Sequence, residues 1–420
     1  MKYVIIIPDG AADHPLEELE GKTPFDAAHI PNMDKLAMIG KQGTVATTPE
    51  GFPCGSDVCS MSLLGYSPVK YHKGRAPLEA AALGIELDEA DWVFRINFVT
   101  VVEGLMQDHS AGAISSKEGQ QLLTDFVKLI DDPDIKVYPG VSYRNILVDQ
   151  SNRLGSSALG SSDPGSGKGR DWSKLKTTPP HDIPGESKDK YRPTGPNAAL
   201  LNDLIDKSEA LFAGHEVNLT RRDLGEAPAT HIWPWGQGQK PIVPTFESRF
   251  GLKGAMITAV DLLAGIASFI GWDRLDVPGQ TSYHHDQDYA AAGERAIKAI
   301  DDYDVVCVHV EAPDEASHQA DSQTKVAAIE AIDKHIVGPI HKVLEERNSE
   351  FGGYRILVLP DHYTSVATRK HDPTPPPFIM AGKHISNVVS KPFNEHNAQH
   401  ADLHIKHGHE LMEFFLHSGK

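Results

Sequence analysis

Two short, wholly apolar runs constrain the fold of this chain more strongly than any other feature of its sequence. The run VIII at residues 4–7 leads into Asp9, and the run ILVL at residues 356–359 leads into Asp361 and His362. Apolar runs of this length, without polar alternation, are typical of strands in a parallel sheet that is covered on both faces. Helical patterns such as IPNMDKLAMIG lie between such runs. The sequence therefore predicts an α/β protein whose mostly parallel sheet is built from both ends of the chain.

An aspartate behind a strand can have a purely local role, because it also starts turns and caps helices. A third apolar run, VVCVHV, nevertheless leads into Asp314 and His318, whose i and i+4 spacing would place both on one face of a helical turn. In an open α/β sheet, ligands bind in the crevice outside the carboxyl ends of the strands. A further histidine follows the last run in a proline-rich segment. The candidate metal ligands are therefore Asp9, Asp314, His318, Asp361, His362 and His371.

This set of candidate ligands mixes carboxylates with imidazoles. The mixture favours Mn²⁺ or Zn²⁺ over Mg²⁺, which prefers oxygen ligands and water. A single tetrahedral site does not use this many ligands. The candidates suffice for two divalent metal ions about 4 Å apart, an arrangement that holds a phosphoryl group during its transfer. The sequence predicts such a binuclear site, with Mn²⁺ as the first choice.

A possible nucleophile lies in the segment PCGSDVCSMSLLGY. Ser56 follows Gly55 and precedes an apolar helical pattern, which makes a simple helix cap the plainest interpretation. The functional alternative is a serine that accepts a phosphoryl group at the helix N-terminus, where the helix dipole favours negative charge. Cys59 falls inside the same helical pattern and is expected to belong to the core.

The length of the chain predicts more than one folding unit. It has 420 residues, which exceed one ordinary hydrophobic core. Residues 151–190 are rich in Gly, Ser, Pro and charge, as surface loops are. We expect a metal-binding domain formed by residues 1–90 and 251–420, with a smaller α+β domain inserted at residues 91–250. The GSGKG segment lacks the residues that a phosphate-binding P-loop requires.

Charge and composition exclude several classes of partner. The net charge of −18 argues against nucleic acid or an anionic membrane as the main partner. No apolar run has the length of a transmembrane helix, and no pair among the three cysteines has zinc-finger spacing. The expectation is a cytoplasmic protein. The sequence leaves its oligomeric state open.

Two histidine- or tryptophan-rich segments are expected to be structural. The C-terminal segment carries six histidines, yet IKHGHELMEFFL predicts an amphipathic helix. WPWGQG is expected to combine packing with a tight turn. The residues expected to face inward in the C-terminal helix are Ile405, Leu411, Met412, Phe415 and Leu416.

An ordered set of motifs spans nearly the whole chain. They are PDG, GSDV with SLLGY, GRAPLEA, VSYR, TPPHDI, IWPWGQG, AVDLLAGI, HVEAPDEASH and LPDH. Together they resemble the archaeal-type 2,3-bisphosphoglycerate-independent phosphoglycerate mutases of the alkaline phosphatase superfamily. The resemblance implies a three-layer α/β domain with an inserted domain that covers the site, and an isomerase that interconverts 3-phosphoglycerate and 2-phosphoglycerate, a small phosphorylated carboxylate.

The same resemblance implies roles for individual residues. Ser56 would be the phosphorylated nucleophile, and Asp108 or His109 would move a proton between the two substrate oxygens. One metal would be held by Asp314, His318 and His371, and the other by Asp9, Ser56, Asp361 and His362. The substrate-binding residues would be His109, Arg144, Arg221 and Arg75.

Two positions depart from the family pattern. Ala113 stands where the family usually carries Arg or His, and Glu226 stands where Lys is common. The stretch DHSAG is closer to a bacterial branch that has been assigned a homoserine kinase activity. A homoserine kinase-like phosphotransferase or a small-molecule phosphatase is therefore the alternative function, and a metal-stabilised binding protein without turnover is the third.

Overall fold

The computed structural model describes residues 1–153, 169–386 and 390–418. Its strands are β1 Lys2–Pro8, β2 Lys41–Val45, β3 Trp92–Val102, β4 Leu105–Asp108, β5 Ile135–Pro139, β6 Arg144–Asp149, β7 His231–Gln239, β8 Gly254–Ile257, β9 Asp273–Arg274, β10 Val305–Val310, β11 Tyr354–Val358, β12 Tyr363–Ser365, β13 Lys370–Asp372, β14 Pro377–Gly382 and β15 Leu403–Ile405.

The α-helices connect these strands. They are α1 Pro24–Ala27, α2 Pro31–Ile39, α3 Ser56–Leu63, α4 Pro68–Tyr71, α5 Ala76–Ala82, α6 Ser116–Val127, α7 Ala198–Ala213, α8 Glu216–Asp223, α9 Phe246–Phe250, α10 Asp261–Phe269, α11 Tyr289–Asp302, α12 Ala312–His318, α13 Ser322–Ile332, α14 Gly338–Glu346, α15 Asn348–Phe351, α16 Glu395–Gln399 and α17 Leu411–His417.

Contacts between residues divide the chain into two compact units. The first unit contains residues 1–72 and 243–420, and the second contains residues 73–242. The sequence-based ranges 1–90, 91–250 and 251–420 stay a prediction about folding domains. The GSGKG segment falls, apart from Gly169, outside the described residues.

The first unit is organised around an eight-stranded sheet in the order β15-β2-β14-β11-β1-β10-β8-β9. At its centre β1 pairs in parallel with β10 on one side and with β11 on the other. Only β14 runs antiparallel to its neighbours, β11 and β2. Every residue of β10 and β11 is buried. Burial of whole strands is what the unbroken apolar runs predicted, because helices cover both faces of a parallel sheet.

Two segments of the first unit differ from the sequence-based prediction. The pattern at residues 325–346 predicts one continuous helix, but α13 passes through a π-helical turn at Asp333–Val337 before α14 begins. Pro339 lacks the N–H that a regular helix needs, and the wider turn lies just before it. The predicted C-terminal helix is shorter than expected: Ile405 is the last residue of β15, and α17 begins only at Leu411. Its four other apolar residues are buried in α17, as predicted.

The second unit is an antiparallel sheet with helices on it. The sheet has the order β4-β3-β6-β5, and β7 pairs with β3. Phe94, Phe126 and Phe212 belong to a separate apolar core beneath α6 and α7. WPWGQG lies in β7, where Trp233 and Trp235 are buried, so its predicted packing role is confirmed.

Candidate active site

The candidate site lies where the three central strands of the first unit end. Asp9 directly follows β1, Asp361 follows β11, and Asp314 belongs to α12, which begins just after β10. These strands are parallel neighbours, so their carboxyl ends meet at the same edge of the sheet. The chain therefore brings together side chains from both of its ends.

One ligand group consists of Asp314, His318 and His371. The Nε2 atom of His318 lies 3.1 Å from Asp314 Oδ2 and 3.1 Å from His371 Nε2. His371 Nε2 lies 3.5 Å from Asp314 Oδ1. Three potential ligand atoms therefore converge on one point.

Backbone carbonyls fix the orientation of both imidazole rings in this group. The Nδ1 atom of His318 lies 3.0 Å from the carbonyl oxygen of Arg369, and that of His371 lies 3.0 Å from the carbonyl oxygen of Cys54. A carbonyl only accepts, so Nδ1 carries the hydrogen in each ring. In the neutral rings both Nε2 lone pairs then face Asp314. This is the usual arrangement of metal-binding histidines.

The electrostatics of this group favour positive charge. Burial acts to raise the pKa of Asp314, but hydrogen bonds from His318 and His371 outweigh it and hold that pKa well below its usual value. Burial acts to lower the pKa of His371, but the hydrogen bond to Asp314, the negative charges of Asp314 and Asp361 and the Cys54 carbonyl together outweigh it and raise the pKa to about 9. The Asp314 carboxylate thus attracts a positive charge strongly, whether that charge is a proton or a cation.

A second ligand group consists of Asp9, Asp314 and His362. The Nε2 atom of His362 lies 3.4 Å from Asp9 Oδ1 and 3.4 Å from Asp361 Oδ2. The other oxygen of Asp361 accepts hydrogen bonds from the backbone N–H groups of Gly10 and His362, at 3.2 and 3.0 Å. Asp314 therefore stands between the two groups.

The residues present fit a divalent cation. Asp9 Oδ1 is buried and has no hydrogen-bond partner. Burial, together with the charges of Asp361 and Asp314, raises the pKa of Asp9 well above its usual value. Burying an unpaired carboxylate oxygen among three carboxyl groups costs folding free energy unless a cation neutralises the charge.

Ser56 lies beside this second group. It is the first residue of α3, and Gly55 occupies the cap position. Its Oγ lies 3.3 Å from Asp9 Oδ2 and 3.2 Å from His362 Nε2. Cys59 is buried within α3, as the sequence predicted.

Thr364 connects the two ligand groups and was not identified from the sequence. Its hydroxyl lies 2.5 Å from Asp314 Oδ1 and 3.1 Å from His362 Nδ1. A hydroxyl has one hydrogen, and an ionised carboxylate only accepts, so Thr364 donates to Asp314 and accepts from Nδ1–H. Nε2 of neutral His362 is then the unprotonated atom that faces Ser56.

Gly10 lets these side chains approach the backbone. Its φ is +59°, and a Cβ placed there would lie 2.5 Å from both Asp314 Oδ1 and Thr364 Oγ1. Only glycine combines this conformation with the close approach. Glycine is therefore required at position 10 of the PDG motif both by its positive φ and by the close packing around its Cα.

His309 is a further residue that the sequence analysis did not single out. It is fully buried in β10, and its Nε2 lies 2.9 Å from Asp9 Oδ2. Burial lowers the pKa of His309 to about 4, so the ring is neutral at neutral pH. The one sequence feature that could have drawn attention to His309 is its position as a polar residue inside the apolar run VVCVHV.

The second unit contains a separate basic cluster, comprising Arg75, Arg95, Arg144, His109 and His181. Arg95 lies over the Trp235 ring at 4.0 Å, and its Nε is 2.9 Å from Glu79. Burial lowers the pKa of Arg95, and the positive charges of Arg75 and Arg144 lower it further. Burial also lowers the pKa of His181, and Arg95, His109 and Arg75 add to that shift. This cluster brings together three of the four substrate-binding residues predicted from the sequence.

Arg221, the fourth, has a different environment. It is buried, and its guanidinium contacts the carboxylates of Glu118 and Glu226 at 3.1 and 3.0 Å. Its remaining donors reach backbone carbonyls, including that of Ala227. These contacts give Arg221 a structural role in tying α8 to α6. Asp108 likewise accepts hydrogen bonds from Ser110 and Gly112 in its own turn.

The C-terminal histidines lie in neither ligand group. Within the described part of the chain, the groups able to hold a metal contain none of them. His404 Nδ1 lies 2.8 Å from the hydroxyl of Thr44, a contact between β15 and β2. No helix among residues 1–153, 169–386 and 390–418 has both the length and the apolar character needed to cross a membrane.

Comparison with known proteins agrees with this architecture. A family model described as 2,3-bisphosphoglycerate-independent phosphoglycerate mutase matches residues 37–218. A protein of that name from Methanothrix thermoacetophila is 42% identical and covers 99% of this chain and 100% of its own length. A probable mutase of the same description from Geobacter sulfurreducens is 38% identical over 99% of this chain and 100% of its own length.

Two solved structures share the fold. A Pyrococcus horikoshii protein superposes with a TM-score of 0.79 at 26% identity, and covers 99% of this chain and 96% of its own. A cofactor-independent phosphoglycerate mutase from Thermoplasma acidophilum superposes with a TM-score of 0.62, also at 26% identity, and covers 99% of both chains.

The fold and site define an α/β protein with a buried carboxylate and imidazole ligand set beside a serine at a helix N-terminus. The similarity over the full length shows that the chain belongs to the 2,3-bisphosphoglycerate-independent phosphoglycerate mutase family. The fold class and the family resemblance predicted from the sequence are confirmed.

Proposed function

We propose that this protein interconverts 3-phosphoglycerate and 2-phosphoglycerate through a phosphoserine on Ser56. The observation that carries the proposal is the position of the Ser56 hydroxyl. It lies within hydrogen-bonding distance of two acceptors, Asp9 Oδ2 and His362 Nε2, at the start of a helix.

In the proposed reaction Ser56 Oγ attacks the phosphorus of 3-phosphoglycerate, and its proton passes to one of its two acceptors. The glyceryl 3-oxygen leaves and takes up a proton from a proton carrier, for which Asp108 and His109 are the candidates. The 2-hydroxyl of the bound glycerate then attacks the phosphoserine and gives its proton to the same carrier. Ser56 is released and regains its proton from its own acceptor. The positive end of the α3 dipole, where Ser56 is the first helical residue, stabilises the negative charge of the phosphoryl group during both steps.

We propose two divalent ions, one held by Asp314, His318 and His371, and the other by Asp9, Ser56, Asp361 and His362. When bound, such ions neutralise phosphoryl charge and lower the pKa of a coordinated hydroxyl. Mn²⁺ is the first choice, because the set combines imidazole nitrogens with carboxylate oxygens; Zn²⁺ and Mg²⁺ are the alternatives. Chelation is expected to abolish activity, and Mn²⁺ is expected to restore it.

We propose that the basic cluster of the second unit binds the carboxylate of the substrate. Arg75, Arg144 and His109 supply donors, and Arg95 adds a buried positive charge held in place by Glu79 and Trp235. Planar guanidinium groups suit carboxylate recognition because they donate two parallel hydrogen bonds. Arg221 is not included, because its donors already contact protein acceptors.

The decisive experiment replaces Ser56 with alanine. Ser56→Ala is expected to abolish mutase activity, while the protein stays folded and keeps at least one metal ion. Ser62→Ala is the matched control, since Ser62 is buried in the same helix and its hydroxyl has no hydrogen-bond partner. Mutase activity near wild type in Ser56→Ala would falsify the phosphoserine mechanism.

The same protein tests the alternative functions. Assays with 3-phosphoglycerate, and in parallel with ATP and homoserine, distinguish a mutase from a kinase. Release of inorganic phosphate without 2-phosphoglycerate would indicate a phosphatase. The cytoplasmic localisation stays a prediction from the sequence.

A further inference from the structure

We propose that His309 is a positioning residue for Asp9, with Thr258 fixing the orientation of its ring. The proposal deepens the metal site of the proposed function and rests on it. It assigns the two oxygens of Asp9 to different tasks. Oδ2 is held by the protein, and Oδ1 is presented as the ligand atom.

The direction of each hydrogen bond follows from the donors available. Asp9 Oδ2 lies 2.9 Å from His309 Nε2. When Asp9 is ionised as a metal ligand it can only accept, so Nε2 carries the hydrogen. A ring that carries its single hydrogen on Nε2 presents Nδ1 as an acceptor. The only described side chain that faces Nδ1 is the hydroxyl of Thr258, at 3.1 Å.

The Thr258 hydroxyl is itself constrained. Its oxygen accepts from the backbone N–H of Val260 at 3.0 Å, and because His309 Nδ1 carries no hydrogen, the hydroxyl donates its single hydrogen to that atom. The chain of donors therefore runs from Val260 through Thr258 and His309 to Asp9. The tautomer protonated at Nδ1 would instead place the Nε2 lone pair against an oxygen lone pair of ionised Asp9.

This chain accounts for the state of the other carboxylate oxygen. Oδ2 is engaged by His309 and by Ser56, whereas Oδ1 is buried without a hydrogen bond and lies 3.4 Å from His362 Nε2. A carboxylate held through one oxygen can rotate little, so the second oxygen has a fixed position. Hydrogen bonds of this kind orient metal ligands, and their loss lowers metal affinity about 10- to 100-fold.

The test measures metal binding to metal-free protein, without substrate. His309→Leu is expected to weaken one of the two Mn²⁺ equivalents about 10- to 100-fold in calorimetric titration. His309→Gln keeps an N–H donor near the Nε2 position and is expected to restore most of that affinity. In mutase assays His309→Leu is expected to lower kcat with little change in KM.

The matched control is His341→Leu. His341 is also buried in the first unit, but its Nε2 faces the hydroxyl of Tyr354, outside both ligand groups. Its loss is expected to leave Mn²⁺ affinity unchanged. Equal weakening in His341→Leu and His309→Leu, or wild-type affinity in His309→Leu, would overturn the proposal.

A spectroscopic readout completes the test without removing the imidazole. In ¹⁵N-labelled wild type loaded with diamagnetic Zn²⁺, His309 is expected to show the neutral tautomer protonated at Nε2. Thr258→Val should leave the protein folded and disturb that signature while weakening the same Mn²⁺ equivalent. A His309 protonated at Nδ1, or a His309→Gln variant as weak as His309→Leu, contradicts the assignment. The Mn²⁺ affinities and the tautomer of His309 are measured without mutase activity, so a protein that binds two ions without being a mutase would still test the role of His309.

Discussion

Replacing Glu395 with glutamine should remove a distinct step from the pH dependence of folding stability. Glu395 is fully buried, and its carboxyl accepts hydrogen bonds from the Thr23 hydroxyl at 2.6 Å and from the Asp13 backbone N–H at 3.2 Å. Burial raises its pKa to about 7 from an ordinary value of 4.5. Between pH 4.5 and about 7, the Glu395 carboxyl is therefore protonated in the native state and ionised in the unfolded chain.

The difference between the native and the unfolded pKa of Glu395 sets the sign and the size of this pH dependence of stability. Between pH 4.5 and about 7 the unfolded state binds fewer protons than the native state, so the free energy of unfolding falls as the pH rises. A shift of about 2.5 pKa units corresponds to about 3 kcal/mol, since each unit is worth about 1.4 kcal/mol. Above the native pKa this contribution is fully lost. Glutamine resembles the neutral carboxyl group and does not titrate.

The assay is urea unfolding, followed by circular dichroism at half-unit intervals from pH 4.5 to 8. The difference in free energy of unfolding between Glu395→Gln and wild type should move by about 3 kcal/mol in favour of the variant as the pH rises across this window. Glu413→Gln removes one acidic group from an exposed position on α17 and serves as the control. A difference that stays constant with pH would refute the reasoning.

Three further outcomes test the site. Gly10→Ala is expected to lower metal content and activity sharply, because the added Cβ would collide with Asp314. Gly21→Ala is the control: Gly21 also has a positive φ, but a Cβ there would have no atom within 4 Å, so metal content and activity should stay near wild type. Arg144→Gln is expected to raise the KM for 3-phosphoglycerate about tenfold with little change in kcat. The control variant Arg222→Gln should leave KM unchanged. An unchanged KM in Arg144→Gln would exclude a role of Arg144 in substrate binding. A triple glutamine variant of the C-terminal histidines should retain its metal stoichiometry, and loss of one equivalent would assign them a ligand role. The three positions are His404, His407 and His409.

The strands that form the site could be predicted because their sequence is unusual. Unbroken apolar runs leave few alternatives to buried parallel strands, and the residue after such a strand necessarily lies at the carboxyl edge. That reasoning is enough to bring Asp9, Asp314 and Asp361 to one place. The ligand assignment itself stays a proposal.

The supporting residues could not be predicted in the same way. Thr364 and His309 act through the directions of their hydrogen bonds, and a threonine in a short strand or a histidine in an apolar run gives no sign of what it faces. Arg95 lies opposite Trp235 in the pairing of β3 with β7, next to a shift of register, and its guanidinium stacks on that ring. The π-helical turn before Pro339 likewise depends on packing that a periodic pattern does not contain.

The position of β1 in the sheet has a consequence for biosynthesis. Tyr3 pairs with Val305 and Arg355, so both neighbours of β1 are translated only after the whole of residues 73–242. That segment is contiguous and has its own apolar core, so it can complete its tertiary structure on the ribosome. Meanwhile β1 leaves the exit tunnel as an apolar strand with two open edges, which is a target for chaperones and for misassociation. Ribosome-bound nascent chains that stop before β10 should therefore contain a protease-resistant core formed by the second unit and a protease-sensitive N-terminus.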